Sequence, residues 1–192
     1  MCFDSSMGGS ASSNRVRAFL ALPLPEEQRR LLATHVEECQ RRAPGYRWVP
    51  AENMHLTLRF LGSVQPDAVE RLRGHLGEVR RAPFELGLDG RGSFGPRAAP
   101  RVVWLGVERD VQSCASLAAA LEEACRWAGL EPESRPFRPH LTLARARSDS
   151  GRLPELPPPP DLEPWQVTDF VLYESRLGRQ VTYLELQRYP LE

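Results

Sequence analysis

The tetrapeptide His-Leu-Thr-Leu occurs twice, at His55-Leu56-Thr57-Leu58 and at His140-Leu141-Thr142-Leu143. The copies lie 85 positions apart (140 − 55), about half of the 192 residues. An internal repeat constrains a fold more than a lone motif does, because both copies occupy the same kind of local structure. The pattern predicts two similar halves that bring two histidines face to face across a cleft.

Both copies read as β-strands, over 54–61 and 140–147. Side chains on a strand alternate faces, so His55 and Thr57 point the same way, about 7 Å apart by strand rise. Leu56 and Leu58 point the other way, into a core. The same holds for His140 and Thr142 over Leu141 and Leu143. Histidine titrates near neutrality and serves as either acid or base. With two, one can take a proton from water while the other gives one to a leaving oxygen. In-line displacement at phosphorus needs that arrangement. The threonine hydroxyls can donate to the non-bridging oxygens, which gain charge in the transition state.

Arginines accompany both copies. Arg59, four after His55, is in phase with it, and Arg138, two before His140, is in phase too. Arg145, five after His140, falls nominally on the opposite face and reaches the cleft only past a bulge or at a strand end. Phe60 could stack a base, but it is likewise out of phase with His55 and is expected in the core. His35 and His75 fall on predicted helices and are given no role. No carboxylate or cysteine stands near either motif at ligand spacing, so no metal and no cofactor are expected. No Gly-x-Ser-x-Gly marks a serine nucleophile.

Along the chain, strands are predicted over 17–24, 84–94, 101–108, 167–174 and 181–187, besides the motif strands. Helices are predicted from Pro25 to about Arg42, from Pro66 to near Arg81, and over 113–128 with Gly129 as cap. Several strand connections are too short for a parallel crossover. The expected class is α+β: a two-lobed, pseudo-symmetric single domain over 15–192, with antiparallel sheets lining a central cleft and helices outside. Residues 1–14 read as a disordered tail. The stretch 148–164, with four consecutive prolines, reads as a stiff surface loop or a lid.

Composition narrows the chemistry. Every cationic side chain is arginine, and the chain has no lysine, which excludes a P-loop lysine, a Schiff base and a lysyl-nucleotide ligase. Zero net charge offers no global field to grip long nucleic acid, although a short RNA end needs only a local patch. Cys2, Cys39, Cys114 and Cys125 form no C-x-x-C pair and read as free thiols of a cytoplasmic protein. No apolar run approaches membrane length, and a monomer is expected.

At these residues the sequence resembles the two-histidine (2H) phosphoesterases, and within them the RNA 2′,3′-cyclic phosphodiesterases, also called 2′-5′ RNA ligases. Residues 17–22, 47–62, 136–145 and 170–177 all carry the resemblance. It implies metal-independent hydrolysis of a 2′,3′-cyclic phosphate at an RNA or nucleotide end, leaving a 2′-phosphate. By resemblance, His55 is the proton donor to the 3′ oxygen and His140 the proton acceptor from water. Thr57 and Thr142 would hold phosphate, Arg145 stands where the family often has an arginine to do the same, and Tyr173 and Ser175 match a family Tyr-x-Ser that would contact substrate. Strand phase, not the resemblance, adds Arg59 as a phosphate ligand and Arg138 as a substrate contact. Residue chemistry alone does not say which histidine is acid and which base. Two alternatives stand beside hydrolysis: ATP-independent 2′-5′ ligation, the reverse reaction, and a nucleotide- or RNA-end-binding module without turnover.

Overall fold

The computed structural model describes residues 15–147, 152–178 and 180–192. The 1–14 tail and the first part of the 148–164 loop lie outside the described residues. The elements are β1 (Val16–Pro23), α1 (Glu26–Arg42), β2 (Tyr46–Trp48), β3 (His55–Val64), α2 (Pro66–Leu76), β4 (Phe84–Phe94), β5 (Val102–Arg109), α3 (Val111–Trp127), β6 (His140–Ala146), β7 (Trp165–Val167), β8 (Asp169–Arg176) and β9 (Thr182–Pro190). A 3-10 turn, Ala51–Asn53, joins β2 to β3.

The strands form one antiparallel sheet, ordered β7-β4-β5-β6-β3-β1-β8-β9, with β2 paired to β6 beyond the end of β3. The motif strands β3 and β6 are therefore central neighbours. They touch through one direct pair, Leu56 with Leu141. β1 and β8 continue the sheet on the β3 side, and β5 and β4 continue it on the β6 side. A helix precedes the motif strand in each half, α1 before β3 and α3 before β6.

One face carries the core. Leu56, Leu58, Leu141 and Leu143 are buried with Leu117 and Leu121 of α3 and Leu32 of α1. A fully buried leucine contributes roughly 1.5–3 kcal/mol, so these residues hold both motif strands rigidly to the helical layer. The opposite face carries the histidines.

Both motif strands carry a bulge at the same place. Along β1, Leu20 faces Arg59 and Ala21 faces Thr57, so Leu58 is skipped. Along β5, Val103 faces Ala144 and Trp104 faces Thr142, so Leu143 is skipped. An extra residue shifts every later side chain to the other face. The repeat thus extends beyond four residues: Arg59 matches Ala144, and Phe60 matches Arg145.

Several boundaries differ from the sequence-based expectation. α2 ends at Leu76 rather than near Arg81, where Gly74 and Gly77 weaken the last turns. β3 runs through Gly62, whose φ of 74° sits at a second irregularity, and ends at Val64. The short strand β7 was not anticipated. The described part of the proline-rich stretch is tied to the body. Arg91 donates to the carbonyls of Leu156 and Pro157, Gln28 donates to that of Glu163, and Leu156 and Leu162 are buried.

Candidate active site

Each histidine enters the cleft from the first position of its strand. The His55 Nδ1 lies 2.8 Å from the carbonyl of Asn53, and the His140 Nδ1 lies 2.7 Å from that of Arg138. A carbonyl only accepts, so both Nδ1 atoms are protonated donors. Each Nε2 is then the atom that gains or loses a proton. The Thr57 hydroxyl stands 3.1 Å from the His55 Nε2 and donates to it when the ring is neutral. The carbonyl of residue −2 plays the same part on both sides, a second expression of the repeat.

Aromatic rings wall both imidazoles. Phe19 of β1 lies 4.6 Å from His55 by ring centroids, and Tyr183 of β9 meets it edge-on. Tyr173 of β8 stacks on Phe19 at 5.3 Å and lies 6.4 Å from His55. Across the cleft, Phe94 of β4 meets His140 at 4.9 Å, and Trp104 of β5 lies at 6.2 Å. Loss of hydration disfavours imidazolium. The His55 pKa is lowered to about 4, chiefly by burial, with the charges of Arg145 and His140 adding to the effect. The His140 pKa is also lowered, by burial first and then by Arg145. The two histidines therefore sense each other and share Arg145 as a neighbour.

The bulges decide where the arginines go. Val102 and Trp104 share the cleft face, and Arg145 pairs with Val102, so Arg145 joins His140 and Thr142 there. Arg59 departs from its expected phase. It pairs with the fully buried Leu20 and turns toward the helices. There it donates to Glu122 of α3 at 2.5 Å and to the carbonyls of Glu131 and Phe60. The structure does not bring Arg59 to the histidines. Phe60 also departs from expectation: it pairs with Phe19, is partly exposed, and carries the Arg17 guanidinium 4.7 Å above its ring.

Of the remaining candidates, Thr142 is half-buried beside Trp104, and the Arg138 side chain is exposed while its carbonyl holds His140. Ser175 is buried and pairs with Tyr183 on β9. His35 contacts the Cys39 thiol, and His75 packs on Trp127, both away from the cleft. Phe19, Asn53, Phe94, Trp104 and Tyr183 were missed by sequence reasoning. They come from strands and a turn scattered along the chain, and only an aromatic on an otherwise polar strand face, as at Tyr183, could have pointed to them. Among the described residues no cluster of three or more His, Cys, Asp or Glu is placed to hold a metal ion. No helix among them is long and apolar enough to cross a membrane.

The chain is similar in sequence and fold to known proteins. The model of the LigT-like phosphoesterases matches in two segments, residues 22–104 and 105–183, each holding one motif strand. An RNA 2′,3′-cyclic phosphodiesterase of Escherichia coli is 36% identical over 180 residues, covering 91% of this chain and 96% of the relative. One of Geobacillus stearothermophilus is 33% identical over 92% of this chain, and the match spans 58% of that longer protein. The crystal structure of E. coli LigT in apo form superposes with a TM-score of 0.78 at 34% identity, covering 92% of this chain and 98% of LigT. LigT has also been crystallised with 3′-AMP. On sequence and fold together, this chain belongs to the LigT-like phosphoesterase family.

Proposed function

We propose that this chain hydrolyses RNA 2′,3′-cyclic phosphate ends to 2′-phosphate ends, with His140 as proton acceptor and His55 as proton donor. The observation that carries the reading is the matched anchoring of the two rings. Each gives its Nδ1 proton to a backbone carbonyl two residues upstream, which leaves Nε2 as the working atom on both sides. Relatives that share most of this chain bear the name of that activity, and LigT binds a nucleotide monophosphate.

In this mechanism the cyclic phosphate lies between the rings. His140 Nε2 takes a proton from water as its oxygen attacks phosphorus. The bond from phosphorus to the 3′ oxygen breaks, and His55 Nε2–H protonates that oxygen. Proton exchange with solvent then resets both rings. A bound phosphate anion favours imidazolium and charges His55 on substrate entry. A ring whose pKa is otherwise held near 4 parts easily with that proton. Thr57, Thr142 and Arg145 donate to the non-bridging oxygens. Tyr173 and Ser175 lie on the strand face beside His55 and contact the nucleoside, and Arg138 contributes its carbonyl. The allocation of acid and base follows the family resemblance.

The protein works as a monomer in the cytoplasm in this reading, because every group named comes from one chain and the buried Cys39, Cys114 and Cys125 are free thiols. The test is incubation, with chelator present, with an oligonucleotide ending in a 2′,3′-cyclic phosphate. A 2′-phosphate product is expected, and His55→Ala and His140→Ala should each lose on the order of 10²–10⁴ in rate. Full turnover in either variant, or a 3′-phosphate product, would count against the assignment.

A further inference from the structure

Arg47 lies between Tyr46 and Trp48, which are 2% and 7% exposed and point into the core. Alternation sends the Arg47 side chain to the opposite face, where it is exposed. Its direct partner across the β2–β6 pair is Arg145. Like charges directly opposite on a sheet destabilise it, and folded proteins ordinarily relieve such a pair with a carboxylate. Here none is supplied: among the described residues neither guanidinium has an ion pair or a hydrogen bond. Several arginines elsewhere do have such a partner. Arg29, Arg42, Arg71, Arg109 and Arg188 each pair with an acidic neighbour. The repulsion between Arg47 and Arg145 is retained beside the candidate site.

The unpaired charges are also graded by distance from the histidines. Arg145 acts on both imidazoles. Arg47 sits one strand away from Arg145, roughly 4.8 Å in the pairing direction. Its charge is felt at Tyr183, together with those of Arg145 and Arg17. Tyr183 in turn touches His55. The result is a line of positive charge that leads from the histidines out along β2.

We propose that Arg47 binds the phosphate adjacent to the scissile one, so that the cleft selects a polynucleotide end over a lone nucleoside cyclic phosphate. The inference rests on the phosphodiesterase reading and names its substrate class: RNA chains with at least one internal phosphate beside the cyclic terminus. With the scissile phosphate on Arg145 and the internucleotide phosphate on Arg47, each cation meets an anion and the repulsion that the free protein carries is removed; charge-assisted contacts of this kind are the strong ones.

The experiment compares kcat/KM for a dinucleotide ending in a 2′,3′-cyclic phosphate with that for the nucleoside 2′,3′-cyclic phosphate, in wild type and in Arg47→Gln, with circular dichroism to check folding. Wild type is expected to prefer the dinucleotide by about tenfold or more, as for one hydrogen-bonded charged contact. Arg47→Gln should remove most of that preference and flatten the dependence of log affinity on log salt by about 0.7, one phosphate on a single strand. An equal loss on both substrates, or a preference that survives the substitution, overturns the proposal. If wild type turns over neither substrate, the phosphodiesterase reading fails. Equilibrium binding of the dinucleotide 2′-phosphate and the nucleoside 2′-phosphate then decides Arg47 by itself: a wild-type preference lost in Arg47→Gln sustains it, and equal affinities sink it.

Discussion

The Tyr183 ring meets the His55 imidazole edge-on, with 5.1 Å between centroids. Phe19 covers another side of the same ring, and this loss of hydration is the main reason the imidazole stays neutral down to about pH 4. Tyr183→Ala opens one wall to water. The His55 pKa should then rise toward 6.5, by at least one unit, in an NMR titration of its ring carbon protons. A value that stays near 4 would mean that Tyr183 is not what dries the ring.

The pH dependence of kcat/KM follows from the same shifts. The proposed mechanism needs His140 neutral and His55 protonated. In the free protein His140 is held below 6.5 and His55 near 4, so the productive state, with one proton between the two rings, is most populated between their two pKa values and hence below pH 6.5. Below that window both rings are charged and His140 cannot accept a proton; above it both are neutral and His55 has none to give. A bell with its maximum below pH 6.5 is expected for kcat/KM. The bell for kcat should lie at higher pH, because bound phosphate raises both histidines. A kcat/KM maximum above pH 8 would contradict the desolvated site.

Arg59 serves stability in this fold. It is 8% exposed and bridges β3 to Glu122 and to the carbonyl of Glu131. Arg59→Ala leaves the Glu122 carboxylate without its partner and should cost on the order of 3 kcal/mol in chemical denaturation, with Glu122 partly solvated. The rate per folded molecule should change only a few-fold. A rate loss comparable to that of His140→Ala, with unchanged stability, would return Arg59 to the phosphate site.

A glycine two strands away supports His140. A Cβ on Gly92 would stand 2.1 Å from the Trp104 indole, and Gly106 keeps close company with the same ring. The indole occupies the space that a side chain at position 92 would take, and from there it walls His140. Gly92→Ala forces the ring to move and should destabilise by about 1–3 kcal/mol. Tryptophan emission should change with it, and turnover should fall while KM moves less. Wild-type emission and rate together would show that the ring is free to shift.

The parts of this site legible in the sequence were those that repeat locally. Two histidines and two threonines in period-two phase, over leucines, need only strand alternation to be placed. The bulges broke that rule. Leu58 and Leu143 are leucines like Leu56 and Leu141, and no glycine or proline marks the extra residue. Phase counting therefore sent Arg59 to the cleft and Phe60 to the core, the reverse of what folds. For Arg145 the same counting found the right condition, a bulge, without any means of locating one. The aromatic walls were illegible for another reason. Phe19, Phe94, Trp104 and Tyr183 are assembled by sheet order, which brings β1 and β9 to one histidine and β4 and β5 to the other.

A groove with two equivalent banks would accept a strand equally well from either end. Here the fifth residue after each histidine breaks the tie: a flat hydrocarbon ring at Phe60 on one bank, a fixed cation at Arg145 on the other. The duplicated scaffold supplies the chemistry twice over, and this one mismatch gives the groove a front and a back.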